Sequence, residues 1–391
     1  MFLDMTIKRN ENLIKSAIDL HKNGLIKPNS YVLDIDSIRE NASKLAKKAK
    51  ELDIELYMMT KQIGRNPKIA EIIAESGIKK AVAVDPWEAI RLAESGVKLG
   101  NVGHLVQIPT SMIRQILSYN PEVITVFTLD KAIEISEQAI KLGMVQDILL
   151  KVVGENDRLY PGQIGGFKEK ELITYADKIK KLKGVNIAGV TAFPCFLYNY
   201  EADKIEPTKN AHTAIRCANM LKEKLDIKIK QVNIPSANTI ASLSLLKDMG
   251  GTHGEPGHAL TGTTPLHGDN ILEEKPAMVY VSEISHCFDD KAYVYGGGFY
   301  RRSRMKNAMV GKDFEKMKEN IFEIEEINPE AIDYYGTLKL GNKSVEVGDT
   351  VIYSFRTQIF VTRSEVVLVE GIQKNNPKVI GVYDSQGNKI R

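Results

Sequence analysis

From about residue 54 to 258, short apolar runs rich in β-branched residues alternate with stretches whose apolar residues recur at helical spacing. That alternation predicts successive βα units and a parallel sheet. Eight strand-like runs are present, at 54–59, 81–84, 102–107, 122–127, 147–153, 186–193, 228–234 and 252–255. Eight such units suit a closed (β/α)8, or TIM, barrel. Between the runs, Ile38, Ala42, Leu45, Ala49 and Leu52 form one apolar helical face, with Asp36 placed to cap it. Pro67 followed by Gly77, and Pro86 followed by Gly96, place proline at helix starts and glycine past their ends.

After Gly262 the pattern changes to strands without intervening helices, at 277–284, 292–295, 351–355 and 365–369. A charged stretch at 313–326 reads as a helical insert. The expected organisation is a barrel over 35–265 and a second, β-rich domain made of 1–34 and 266–391.

Composition narrows the partners. The 391 residues carry 53 Lys and Arg against 50 Asp and Glu, a net charge of +3, which gives no general attraction to nucleic acid or an anionic membrane. A small-molecule partner is expected. Cys195, Cys217 and Cys287 have no CxxC or Cys/His ligand spacing, which argues against a disulfide framework or structural zinc and favours a reducing compartment. No run of 18 apolar residues occurs, and the first 20 residues mix charges into their apolar positions; a cytoplasmic protein without a membrane span is expected.

In such barrels, chemistry gathers where strands end and βα loops begin. Lys61 follows the run ELYMMT, where a desolvated amine can act as a nucleophile, although a single lysine also suits a side chain reaching to solvent. Lys151 and Arg158 lie seven residues apart in LKVVGENDRLYPG, a pair that by itself more often marks a solvated charged face. Ser236, Asn238 and Thr239 in VNIPSANTIAS stand where a helix starts, positioned for an anion or for capping by Asn238. THGEPGHALTG adds Gly254, Gly257 and Gly262, whose absent side chains let backbone amides approach an oxyanion.

These segments, in this order and over nearly the whole chain, resemble the fold type III pyridoxal-phosphate enzymes, the alanine racemase-like group and within it the YhfX-type proteins. The resemblance implies pyridoxal 5'-phosphate as cofactor, with Lys61 in LYMMTKQIGRNP binding it covalently. It implies that Arg158 lies near the cofactor ring, that Ser236, Asn238, Thr239, Gly257 and His258 surround its phosphate, and that AVAVDPWEAIRLAESGV is structural, with Glu88-Ala89 entering a helix. Glu255 in HGEPGHAL is similar to the glutamate of the related amino-acid decarboxylases, where alanine racemase has arginine. A carboxylate there keeps the ring nitrogen protonated and strengthens it as an electron sink; the other reading of Glu255 is a loop glutamate paired with a lysine. The decarboxylases continue with arginine where this chain has His258.

In the second domain, KAYVYGGGFYRRSR resembles the racemase segment that carries a tyrosine base into a neighbouring subunit's site, with Tyr295 as first choice and Tyr300 as second. Arg301, Arg302 and Arg304 suit either a substrate carboxylate or a surface patch. Two positions depart from the family. GVTAFP offers Phe193 and Pro194 where a histidine is usual. VGDTVIYSFRTQIF offers Ser354, Phe355, Arg356 and Thr357 where metal-dependent relatives carry zinc ligands, so no metal is expected. His286 and Cys287, adjacent in a strand, point to opposite faces and read as structural.

The expected activity is racemisation or epimerisation of an amino acid by a homodimer with shared active sites, Lys61 and the partner's Tyr295 handling the Cα proton from opposite faces. The alternatives are a lyase on the same scaffold, a decarboxylase or an aldolase or dehydratase, and a non-catalytic pyridoxal-phosphate carrier.

Overall fold

The computed structural model describes residues 2–300 and 303–391. The chain forms two compact units. One comprises the chain up to Asn41, Lys61–Ile69 and His258–Arg391; the other comprises Ala42–Thr60 and Ala70–Gly257.

The second of these units is a parallel barrel. Its strands are Glu55–Met59, Lys80–Ala83, Lys98–Val102, Val123–Val126, Gln146–Val153, Val185–Thr191, Gln231–Asn233 and His253–Gly254. Each pairs in parallel with the next, and His253–Gly254 pairs back with Glu55–Leu56 to close the ring. The amide of Met59 donates to the Pro256 carbonyl at 2.9 Å and extends that closure. The eight-strand expectation therefore holds, with one misplaced member. The third strand lies at Lys98–Val102, not 102–107. Its sequence, KLGNV, is poor in β-branched residues, which hid it. A Cβ at Gly100 would overlap the Tyr57 ring, so packing imposes the glycine. The apolar HLVQI that follows is loop, entered through Gly103 at φ +84°.

Helix boundaries follow local chemistry. The helix Pro86–Glu94 is capped by Asp85, which accepts from the Glu88 amide at 2.9 Å, and Gly96 beyond it has φ +84°. The helix Ile35–Glu51 buries Ile38, Ala42, Leu45 and Ala49 as its period predicts. Its first turn differs from expectation. Asp34, not Asp36, accepts from the Ser37 amide at 3.1 Å, and Asp36 instead accepts from the Gly371 amide at 2.8 Å.

The first unit is built on a nine-stranded sheet. Met278–Phe288 is its longest strand; it pairs antiparallel with Thr350–Tyr353 and Ser30–Asp34 and, past an irregularity at Ile284/His286, with Lys291–Tyr295. Ser30–Asp34 runs parallel to Glu365–Glu370, which pairs in turn with Lys378–Tyr383. The helices Phe2–Arg9 and Glu11–Lys22 supply apolar faces to this sheet. Leu13, Ile14, Ala17 and Ile18 pack with Val32, Val279, Val281, Ile352 and Val367 in one buried cluster.

The expected helical insert at 313–326 is a correction. Only Phe314–Met317 is helical, and Ile321–Ile324 is a strand paired with Asn307–Gly311. The charged residues there suggested an amphipathic helix, but Phe314, Met317 and Phe322 carry the burial, and a four-residue turn followed by an alternating strand suffices for that. Among the described residues no helix is long and apolar enough to cross a membrane.

Candidate active site

In the barrel unit, polar side chains collect at the carboxyl ends of the strands. Glu255 follows the eighth strand and is 3% exposed. Its Oε1 accepts from Asn101 Nδ2 at 3.0 Å and Asn233 Nδ2 at 2.7 Å, and its Oε2 stands 3.6 Å from His104 Nε2. The Thr125 hydroxyl donates to Asn101 Oδ1 at 2.8 Å and so fixes which way that amide points. Three strands and one loop thus hold a single carboxylate. Burying a carboxylate costs several kcal/mol unless hydrogen bonds compensate, and here two side-chain amides donate to it.

Asn238, 2% exposed, accepts from the Glu255 amide at 2.7 Å through Oδ1, so it positions the backbone that bears the carboxylate. It does not cap the helix Ile240–Asp248; Thr239 does, its amide donating to the Ser242 hydroxyl at 2.8 Å. The Ser236 hydroxyl donates to the Phe196 carbonyl at 2.6 Å, and Ser236 and Ala237 both have positive φ, +91° and +47°. That strained turn is the place where residues expected at a phosphate fall. Gly257 is buried.

Lys151 is 1% exposed, not part of a solvated face. Its Nζ donates to the Gln163 carbonyl at 3.0 Å and lies 4.1 Å from the Phe127 ring centroid; burial pushes its ammonium down to about 8. Arg158 stacks on Tyr160 at 5.4 Å, Tyr160 meets Phe193 at 6.0 Å, and Phe193 meets the His104 ring edge-on at 5.5 Å. The Arg158 amide donates to Asn210 Oδ1 at 3.0 Å. His104 joins this cluster from the loop after the third barrel strand.

Glu88 also gains a role. Its Oε1 accepts from the Thr60 hydroxyl at 2.5 Å and its Oε2 from the Val84 amide at 2.9 Å, which pins the residue immediately before Lys61.

Lys61 opens the 3-10 turn Lys61–Ile63, which belongs to the other unit. There Thr357 donates to the Gln62 carbonyl at 3.1 Å, and Arg65 donates to Gln386 Oε1 at 2.7 Å while lying 4.9 Å from the Phe360 ring centroid. His258, in the same unit, is held well below its ordinary value by burial and then by the positive charges of Arg356, Lys61 and His267. It therefore stands as a neutral ring, with Nδ1 3.3 Å from the Thr263 hydroxyl and Nε2 3.4 Å from Gln358 Nε2. Gly262, at φ +61°, makes room for the Lys275 carbonyl, so packing within the unit accounts for its lack of a side chain. Ser354 meets Thr6 at 2.8 Å between hydroxyls, and Phe355 packs on Tyr31 and Tyr280.

The two tyrosines differ. Tyr300 donates its hydroxyl to the Arg356 carbonyl, whereas Tyr295, at the end of its strand, is 40% exposed and rests on Tyr335 at 5.9 Å between centroids. Arg304 is exposed, at φ +59°. Arg301 and Arg302 lie outside the described residues.

Asn101, Asn233 and His104 escaped the sequence reading. The signal for the first two is a polar residue within a short buried strand, and for Asn101 the misplaced third strand put it just outside a strand.

Comparison with known proteins agrees with this architecture. Residues 33–265 match the sequence model described as alanine racemase, N-terminal domain, and 279–379 match YhfX-like, C-terminal domain. The chain is 44% identical over 390 residues to the uncharacterized protein YhfX of Escherichia coli K12, with 100% of both chains covered. Among solved structures it is similar to alanine racemase of Clostridium difficile 630 in complex with cycloserine, with TM-score 0.63, 19% identity, and 91% of this chain and 98% of the other covered. It is also similar to D-threonine aldolase from Filomicrobium marinum, with TM-score 0.65, 14% identity, and 92% and 95% coverage. A third similar structure is D-threo-3-hydroxyaspartate dehydratase from Delftia sp. HT23, with TM-score 0.65, 13% identity, and 90% and 97% coverage. The chain belongs to the alanine racemase N-terminal domain family of fold type III pyridoxal-phosphate enzymes, with a YhfX-like C-terminal domain.

Proposed function

We propose that the protein is a pyridoxal-phosphate-dependent amino-acid racemase or epimerase, acting as a homodimer that shares residues between its sites. The buried Glu255 carboxylate, bonded by Asn101 and Asn233, supports the cofactor part of the reading, and the exposed Tyr295 at the end of its strand supports proton transfer on a second face. The residues present suit the cofactor: an amine at a strand end in Lys61, a buried carboxylate for a ring nitrogen in Glu255, and a polar turn at Ser236–Thr239 for a phosphate. Arg158 would flank the ring, and Gly257 and His258 the phosphate. Because His258 is neutral, it offers a hydrogen bond there and not the positive charge an arginine brings.

Pyridoxal phosphate, when bound, supplies an electron sink that acidifies the Cα–H bond of an amino acid. Glu255 would face the ring nitrogen, where a carboxylate favours its protonated form. Lys61 Nζ removes the Cα proton on one face, and the Tyr295 hydroxyl of a second copy returns one on the other. Tyr295 is favoured over Tyr300 because the Tyr300 hydroxyl is engaged with Arg356 while Tyr295 is exposed.

A lyase is the second reading, favoured by the glutamate at position 255. The test is proton NMR of D- and L-amino acids in heavy water with cofactor-loaded protein, followed by chiral analysis. Exchange at Cα with appearance of both enantiomers is expected. Release of carbon dioxide, a keto acid or glycine would establish the lyase instead, and cofactor transfer to an apoenzyme without turnover of any amino acid would establish a carrier. Lys61→Ala is expected to abolish borohydride trapping of the cofactor; retained trapping would assign it to another lysine.

A further inference from the structure

The Glu255 site contains a residue that neither the sequence motifs nor the reading above requires. His104 sits in the loop after the third barrel strand, fully buried, with Nε2 3.6 Å from Glu255 Oε2 and its ring edge-on to Phe193 at 5.5 Å. The two asparagine amides both donate to Oε1, so they fix the orientation of the carboxylate without neutralising it. Among the titratable groups that feel Glu255 are the Tyr57 phenol and the Cys195 thiol; burial raises both, so both are neutral near pH 7. Asp157, which acts on Cys195, adds negative charge nearby. Imidazole is the side chain whose charge changes near neutral pH.

We propose that His104 is a positioning residue that, as an imidazolium beside Oε2, keeps Glu255 ionised and thereby sets the lowest pH at which the cofactor ring retains its anionic partner. This rests on Glu255 facing the ring nitrogen. The proton resides on the imidazole and not on the carboxyl. An opposite charge within ~4–6 Å lowers a carboxyl titration by about one to three units, so removing it moves the acidic limit upward.

The experiment follows the absorbance band of bound pyridoxal phosphate against pH, and the dissociation constant of the cofactor at pH 7, for the full-length protein and its variants. His104→Phe preserves the edge-on packing while removing both nitrogens. Its acidic limb is expected to shift upward by about one pH unit, with cofactor affinity about tenfold weaker. His104→Gln retains an N–H donor and is expected to shift in the same direction by less. An unmoved limb in His104→Phe, or in His104→Gln should the former not fold, overturns the inference. Glu255→Gln separates the two levels. If it changes the spectrum while the His104 variants titrate as the parent does, only the inference fails. If Glu255→Gln itself leaves spectrum and affinity unchanged, Glu255 does not face the ring and both fail.

Discussion

The strand ends of the barrel and the aromatic centre of the sheet are filled in different ways. In the barrel unit, Asn101, Thr125, Lys151, Thr191, Asn233 and Glu255 are all buried at or just beyond the carboxyl ends of six strands. In the sheet unit, comparable depth is occupied by Tyr31, Tyr280, Tyr353 and Phe355, packed ring against ring, with the Tyr31 hydroxyl donating to the Gly298 carbonyl at 2.6 Å and Tyr280 to Asn29 Oδ1 at 3.0 Å. Aromatic rings give the sheet apolar burial, while their polar tips tether the glycine loop between Tyr295 and Tyr300. The barrel gives up that burial to hold amides, a carboxylate and an amine out of water, an arrangement that persists only where hydrogen bonds answer the desolvation. Departures of this kind from optimal packing mark a site built for chemistry.

The largest expected effect tests how rigidly each interior is set. A Cβ at Gly189 would collide with the Gln231 carbonyl oxygen on the neighbouring strand, whereas one at Gly298 would meet the Tyr280 ring. Backbone in a closed parallel ring cannot step aside, but a ring on a side chain can. Gly189→Ala is therefore expected to cost at least about 4 kcal/mol, and Gly298→Ala about 1–3 kcal/mol. Urea unfolding followed by circular dichroism reads both; equal losses would remove the distinction.

This contrast also explains what was legible in the sequence. Barrel strands announce themselves as β-rich runs between helical periods, and seven of the eight were located on that basis, because a strand buried on both faces has little choice but to be apolar. The third was displaced since Gly100 and Asn101, which packing against Tyr57 and the hold on Glu255 require, dilute the very pattern being read. Lys61 and Glu255 were visible because they sit in recognisable segments. Asn101, His104 and Asn233 were not, because three residues scattered over 133 positions of sequence converge only when the ring closes. In the sheet unit, the strands Asn307–Gly311, Ile321–Ile324, Tyr335–Lys339 and Lys378–Tyr383 went unread, since their alternation is short.

A smaller effect concerns Lys151, whose ammonium burial pushes down to about 8 from its ordinary 10.5. Its folded value lies below the unfolded one, so between about pH 8 and 10.5 the unfolded chain binds more protons and stability rises with pH; below about 8 the full penalty is present. That penalty is roughly 3 kcal/mol. Lys151→Met, which keeps the length and loses the charge, is expected to raise the urea midpoint at pH 7 and to abolish the rise toward pH 10 that the parent shows. A parallel pH dependence in parent and variant would mean that Lys151 keeps its charge in the folded protein at no cost.

The smallest effect sharpens the comparison from the sheet side. Tyr353 is fully buried against Tyr280 and Phe299, and its hydroxyl has no hydrogen-bond partner among the described residues, unlike those of Tyr31 and Tyr280. A buried hydroxyl without a partner opposes folding, and removing it spares that desolvation while leaving the ring contacts in place. Tyr353→Phe is accordingly expected to leave the fold unchanged or to stabilise it by up to about 1 kcal/mol, whereas Tyr280→Phe, which removes the bond to Asn29 Oδ1 and the acceptor of the Gly298 amide, is expected to destabilise it by about 1 kcal/mol. Thermal midpoints of the two single variants and the double variant decide the matter. If Tyr353→Phe costs as much as Tyr280→Phe, the hydroxyl is answered by ordered water, and the aromatic interior of the sheet is polar in the same sense as the barrel's.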